Sequence, residues 1–210
     1  MEFTRTEAKA WARQNYNGLE AALMPSFKPD MSGLDEEGIR WDVNYLIEQG
    51  MFSALAAVES TSMTFAERCE FVRIACDEAR GRMLISAPVL LDTHAGDVEF
   101  LRYFQSVGGH HVLLGAPVQY HPESEAEVYE TMKAVCEAVD LCIDIYPAER
   151  FDLMRFGKGT LAVEIVKKLA DIDNVVGLKV GNLNPVNYTA HVFQKAGEQL
   201  LINDPLDSAW

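Results

Sequence analysis

Lys179 sits in an apolar, strand-like run, Asn174-Val175-Val176-Gly177-Leu178-Lys179-Val180-Gly181. The Val and Leu flanks ask for burial, and a buried ammonium is costly unless it is paired. Burial and nearby charge can strip a lysine of its proton and expose an amine able to attack a carbonyl. Read by itself, the segment also fits a strand-end lysine whose stem lies on apolar surface while its head reaches water. Two residues of an earlier apolar run, Asp144 and Tyr146, share one face of a strand because side chains alternate along it. If that face is interior, Asp144 lies one layer deeper than Tyr146 and needs a cation or donors, with Lys179 on the next strand as a candidate. If Asp144 faces the helix layer, it is satisfied there.

These residues are carried by short apolar runs that alternate with longer amphipathic ones. The runs 18–28, 52–58, 84–91, 111–116, 141–146, 175–180 and 200–203 read as strands. Between them, 34–49, 64–80, 97–107, 124–139, 160–170 and 185–196 read as helices. The first helix shows its apolar stripe in Leu34, Ile39, Val43, Leu46 and Ile47. Thr64 with Glu67 three residues on is a capping box, and Ser124 with Glu127 has the same spacing. Strands joined through helices pair in parallel, and strands apolar on both faces are buried on both. No glycine-rich dinucleotide fingerprint follows the first strand, where Met24-Pro25-Ser26-Phe27 stands. A doubly wound sheet and a barrel both fit this alternation, and the regular spacing favours an α/β fold of the (β/α)8 TIM-barrel kind, truncated after the seventh strand in this chain. The expected division is an N-terminal helical extension over 1–17, with Trp11 and Tyr16, covering the barrel's base or an interface, and an incomplete barrel over 18–210. Seven strands leave the first and last with open edges.

The chain's 210 residues suit one domain with a substantial core. At 49% hydrophobic and 24% charged it has the composition of a soluble globular protein. No apolar run approaches the ~20 residues of a membrane helix, and Met1-Glu2-Phe3-Thr4-Arg5 carries no signal-like segment. A net charge of −14 offers no attractive field to nucleic acid or an anionic membrane. Cys69, Cys76, Cys136 and Cys142 form no CxxC pair and join no histidine cluster, so they read as reduced packing residues and imply a cytoplasmic setting.

In a parallel barrel the chemistry gathers at the carboxyl ends of the strands. The polar residues there are Ser26; Glu59, Ser60 and Thr61; Asp92, Thr93 and His94; Gln119, Tyr120 and His121; Tyr146 and Arg150; Lys179 and Asn182; and Asn203 and Asp204. His110 and His111 begin their strand at the opposite end and read as structural.

These residues resemble the dihydrodipicolinate synthase / N-acetylneuraminate lyase family of Schiff-base aldolases. Ala22-Leu23-Met24-Pro25-Ser26-Phe27 with Asp30 and Leu34-Asp35 resembles that family's opening strand and turn. Thr64-Phe65 with Glu67-Arg68 resembles the start of its second helix. Pro117 and Pro122 have the spacing of its strand-four prolines, Tyr146 matches its strand-five tyrosine, and Asn174 to Lys179 resembles the segment bearing its Schiff-base lysine. The similarity runs from Gly18 to Asp204.

The resemblance implies a class I lyase or aldolase acting on a 2-oxo acid such as pyruvate, or a pyruvate-derived adduct, without metal or cofactor. Lys179 would form the iminium and Tyr146 would shuttle protons. It implies a homo-oligomer, dimer or tetramer, with no nucleic-acid or membrane partner. The departures lie in the substrate cradle. Where the family has Gly-Thr-Thr-Gly-Glu after strand two, this chain has Ala57-Val58-Glu59-Ser60-Thr61. Glu59 would repel a carboxylate unless protonated, and could serve as a second acid/base, which suits hydration or dehydration of an iminium. Its other readings are a solvated loop carboxylate or a counter-ion to Lys179. Ser60 and Thr61 could supply replacement hydroxyls. The family's strand-four tyrosine aligns with Gln119, with Tyr120 adjacent, and Arg150 lies one residue closer to Tyr146 than the family's arginine does to its tyrosine. Tyr120, Gln119, Arg150 and Asn203 complete the expected substrate-binding set. Three functions stay open: a lyase or aldolase, a dehydratase or hydratase on the same lysine, and a catalytically inactive ligand-binding barrel.

Overall fold

The computed structural model describes residues 3–57, 63–90, 93–117, 120–148, 153–156, 161–180 and 186–203. Seven strands, β1 (Glu20–Leu23), β2 (Ser53–Ala56), β3 (Leu84–Val89), β4 (His111–Leu114), β5 (Cys142–Ile145), β6 (Val175–Lys179) and β7 (Leu201–Asn203), form one all-parallel sheet in chain order. After the leading helix α1 (Ala8–Asn15), the connections carry α2 (Glu36–Glu48), α3 (Phe65–Ala79), α4 (His94–Ser106), α5 (Glu125–Glu137), α6 (Val163–Ala170) and α7 (Val186–Ala196). This is a (β/α)8 barrel represented by seven of its strands.

The sheet curls rather than lying flat. In a flat sheet β1 and β4, three strand spacings of about 4.8 Å apart, would stand ~14 Å from each other. Here Glu20 of β1 and His111 of β4 meet at 2.9 Å across the interior. Alternation then sorts the side chains. Val112, Leu114, Ile143, Ile145 and Leu178 face outward into the core shared with the helices, whose largest buried members include Phe71 of α3 and Phe100 and Phe104 of α4. His111, Cys142, Asp144 and Tyr146 have the opposite parity and face the interior. A register shift between Ile143 and Asp144 accommodates one extra residue of β6, which turns Val176 toward Cys142 and α1.

Local sequence fixes the helix starts. The Thr64–Glu67 box forms as read: Thr64 Oγ1 accepts from the Glu67 amide, and a Glu67 carboxylate oxygen accepts from the Thr64 amide. Asp35 and Ser124 cap α2 and α5. The helix expected over 97–107 instead begins at His94, because Thr93 caps it by accepting from the Gly96 amide. The expected strands were also too long. Residues 24–28 leave the sheet, and Phe27 bridges antiparallel to Leu34 instead.

The leading helix covers the amino-terminal end of the barrel. α1 packs on β5 and β6. Cations of α1 and of the turn before it answer the unpaired carbonyls of helix ends, as expected where a helix dipole is negative. Arg5 donates to Glu137 O at the end of α5 (2.7 Å), and Lys9 to Ala170 O at the end of α6. Trp11 stacks on His110, and Tyr16 packs on His111 and Phe52. Among the described residues no helix is long and apolar enough to cross a membrane.

Candidate active site

Pairing of β5 with β6 brings the two foremost candidates together. Ile145 is in register with Leu178, so the next residues, Tyr146 just past β5 and Lys179 at the end of β6, lie side by side at the carboxyl end of the sheet. Lys179 Nζ lies 4.7 Å from the centroid of the Tyr146 ring. Both side chains are half-buried. A cation over an aromatic face is held by the ring quadrupole. On the other side of β6, Lys179 is the Cα partner of Asn203 in β7, whose carbonyl accepts from the Val180 amide at 2.9 Å.

The other expected residues are placed less centrally. Tyr120 turns toward the helix layer, where its hydroxyl donates to Thr131 Oγ1 of α5 at 3.1 Å and its ring meets His94 edge-on at 5.0 Å. His94 is half-buried with its Nε2 unpartnered among the described residues, and burial depresses the affinity of its ring for a proton. Glu59, Ser60, Thr61, Gln119 and Arg150 lie outside the described residues. The chain leading to Glu59 is nevertheless informative at its first step. Ala57, at the place of the family's first loop glycine, has φ of 59°. The backbone thus takes the left-handed turn that glycine adopts freely, although alanine pays steric strain there. Arg155, beyond β5, donates to Pro122 O beyond β4 and ties together two of the connections at this end.

A second polar group, below the first, is one that sequence reasoning did not assemble. Glu20 accepts from Ser53 Oγ (2.9 Å) and Ser86 Oγ (2.6 Å) and pairs with His111 Nε2. Burial opposes ionisation of Glu20, but His111 and the two hydroxyls prevail and hold its carboxyl down at about 2. Burial likewise opposes the His111 cation, and Glu20, with a smaller contribution from Asp144, raises the ring above its ordinary value. Asp144 faces this interior and not the helix layer. Burial pushes its carboxyl up to about 7 against the pull of His111. The signal was in the pattern, since Glu20, Ser53, Ser86, His111 and Asp144 are all polar residues of inward parity in otherwise apolar strands. Among the described residues no group of histidine, cysteine and carboxylate side chains is arranged to hold a metal ion.

Among the described residues, seven parallel strands joined through six helices, with an amine and an aromatic ring adjacent at the carboxyl ends of neighbouring strands, define an α/β barrel. A family model described as the dihydrodipicolinate synthetase family matches residues 15–207, and the chain belongs to that family. The 4-hydroxy-tetrahydrodipicolinate synthase of Chloroherpeton thalassium is 28% identical over 200 residues, which cover 92% of this chain and 64% of that protein. A protein of Pyrobaculum neutrophilum, described as an uncharacterized DapA-like lyase, is 28% identical over 90% of this chain and 62% of its own length. The dihydrodipicolinate synthase of Aquifex aeolicus superposes with a TM-score of 0.79 at 23% identity, over 92% of this chain and 64% of that one. A prophage protein of the same family from E. coli K12, solved in complex with pyruvate, gives 0.77 at 19% identity, over 90% of this chain and 63% of that one. The chain thus spans less than two thirds of the length of these relatives.

Proposed function

We infer that this chain carries the reacting groups of a Schiff-base lyase or aldolase acting on a 2-oxo acid of the pyruvate type. The observation that carries the reading is the Lys179 amine facing the Tyr146 ring at 4.7 Å, at the carboxyl ends of paired strands. The relatives named as 4-hydroxy-tetrahydrodipicolinate synthases and the pyruvate complex of the E. coli protein support the substrate class.

In this mechanism the lone pair of neutral Lys179 Nζ attacks C2 of the 2-oxo acid. A C–N bond forms, and the carbonyl π pair moves to oxygen, where Tyr146 supplies a proton. The carbinolamine loses that oxygen as water to give an iminium. The iminium draws electron density from C3, which makes or breaks a C–C bond there. Water then adds back and releases product from the lysine. Tyr146 returns the protons at each stage, so a single phenol serves as acid and base.

A second reading keeps the same lysine for dehydration or hydration. It is favoured by the sequence, in which Glu59 aligns with the family's second loop threonine and offers a further acid/base group. Incubation with pyruvate and borohydride, followed by mass spectrometry, tests the shared step. A stable adduct on the Lys179 peptide is expected. Absence of adduct, or an undiminished adduct in Lys179→Ala, overturns both readings. Product analysis with hydroxylated 2-oxo acids separates lyase from dehydratase.

A further inference from the structure

Asp144 is a buried ionisable group that the mechanism above does not use. It lies two residues before Tyr146 on the inner face of β5, and its Cα partner is Gly177, two residues before Lys179 on β6. A Cβ on Gly177 would come within 1.9 Å of Asp144 Oδ1. The carboxyl therefore lies over the glycine, in the space a β6 side chain would fill. It occupies the layer directly beneath the Tyr146–Lys179 pair.

Several groups face Asp144: Tyr16 from the segment after α1, Glu20 of β1, His111 of β4 and Cys142 of its own strand. Glu20 and His111 are bonded to each other, so their charges offset. Asp144 is 7% exposed, and its Oδ1 has no hydrogen-bond partner among the described residues. The next ionisable group up the inner face of β6 is Lys179, which is flanked by Tyr146 on β5 and Asn203 on β7.

We propose that Asp144 is a positioning residue for the Lys179 amine, its carboxyl governing from the layer below how firmly that amine holds a proton and so the pH range in which an iminium forms. This rests on the Schiff-base reading above. Along the sheet the backbone positions of Asp144 and Lys179 are offset by one strand layer, two residues of about 3.3 Å each. From the layer below, a carboxylate favours the ammonium and a neutral carboxyl does not. Burial places the titration of Asp144 at about 7, within the working range of an enzyme. The carboxyl can therefore change the nucleophile without touching substrate.

The test is the pH dependence of pyruvate trapping on Lys179 with cyanoborohydride, in the native protein, Asp144→Asn and Asp144→Leu. Both variants delete the charge, so the acidic limb should move to lower pH by about one unit, the order expected of one nearby charge. On that limb, trapping should run roughly tenfold faster than in the native protein. A merely structural role would change thermal stability or adduct yield but leave the midpoint in place. Superimposable midpoints, or a shift to higher pH, overturn the proposal. If neither variant folds by circular dichroism, the native profile decides: an added inflection near pH 7 supports the proposal, and a single limb overturns it. Failure to trap pyruvate in the native protein at any pH removes the Schiff-base reading and this inference with it. Trapping with an unmoved profile removes only the inference.

Discussion

Replacement of Asp97 by asparagine should stabilise the protein at pH 8 and do little at pH 4.5. Asp97 lies in the first turn of α4, 1% exposed, with Oδ1 unpartnered among the described residues. The neighbouring cation is Arg68 of α3, whose guanidinium lies over the rings of Phe65 (5.5 Å) and Phe100 (5.2 Å). Burial lifts the Asp97 carboxyl from 3.8 to about 7, and Arg68 offsets only part of the rise. The unfolded chain releases this proton near pH 4, while the folded chain keeps it until about pH 7. Between those values the folded state binds more protons, so stability falls as pH rises. Each pH unit corresponds to ~1.36 kcal/mol, which puts the full penalty at roughly 4 kcal/mol, an upper bound if packing relaxes around the charge. Asparagine fits the same space and carries no charge at any pH. Urea denaturation of both proteins at pH 4.5 and 8 should therefore show the advantage of Asp97→Asn growing by about 2–4 kcal/mol between the two conditions. If the variant is instead more destabilised at pH 8 than at pH 4.5, Asp97 is ionised and tied to Arg68, and the reasoning fails.

Three further outcomes are expected. Thr64→Ala removes the Thr64–Glu67 cap and should cost about 1 kcal/mol, seen as a melting temperature lower by roughly 2–4 °C. Ala57→Val puts a β-branched residue at a φ of 59° and should cost about 1–3 kcal/mol in denaturant titration, whereas Ala57→Gly should fall within about 1 kcal/mol of the native protein because it relieves the strain. Tyr146→Phe keeps the ring facing Lys179 but removes the phenolic proton, so pyruvate trapping should slow by roughly 10²- to 10⁴-fold while pyruvate binding, measured by calorimetry, changes little.

The alternation of strands and helices was legible because strands buried on both faces read as continuous apolar runs and helices keep their stripe. Element ends were less legible. The start of α4 was set by Thr93, and the residue three positions on is Gly96, so no capping-box carboxylate marks it. The neighbourhood of Lys179 and Tyr146 was readable from strand order, since consecutive strands of a parallel barrel are neighbours. The facing of Asp144 was not, because alternation says which residues share a face and not which face is interior. The Glu20–His111 contact was hidden for a different reason. It joins residues 91 apart on strands that meet only when the sheet curls. The amphipathic character of α1 was visible in the sequence. Its seat on β5 and β6 depends on carbonyls at the ends of α5 and α6 that no sequence pattern marks.

The most direct test of the central claim is a crystal structure of the protein soaked with pyruvate. The account predicts continuous density from Lys179 Nζ to C2 of the ligand, with the Tyr146 hydroxyl within hydrogen-bond reach of the reacting oxygen or of the water it becomes. Pyruvate bound elsewhere, or a Lys179 side chain left unmodified beside a bound ligand at saturating concentration, would contradict it.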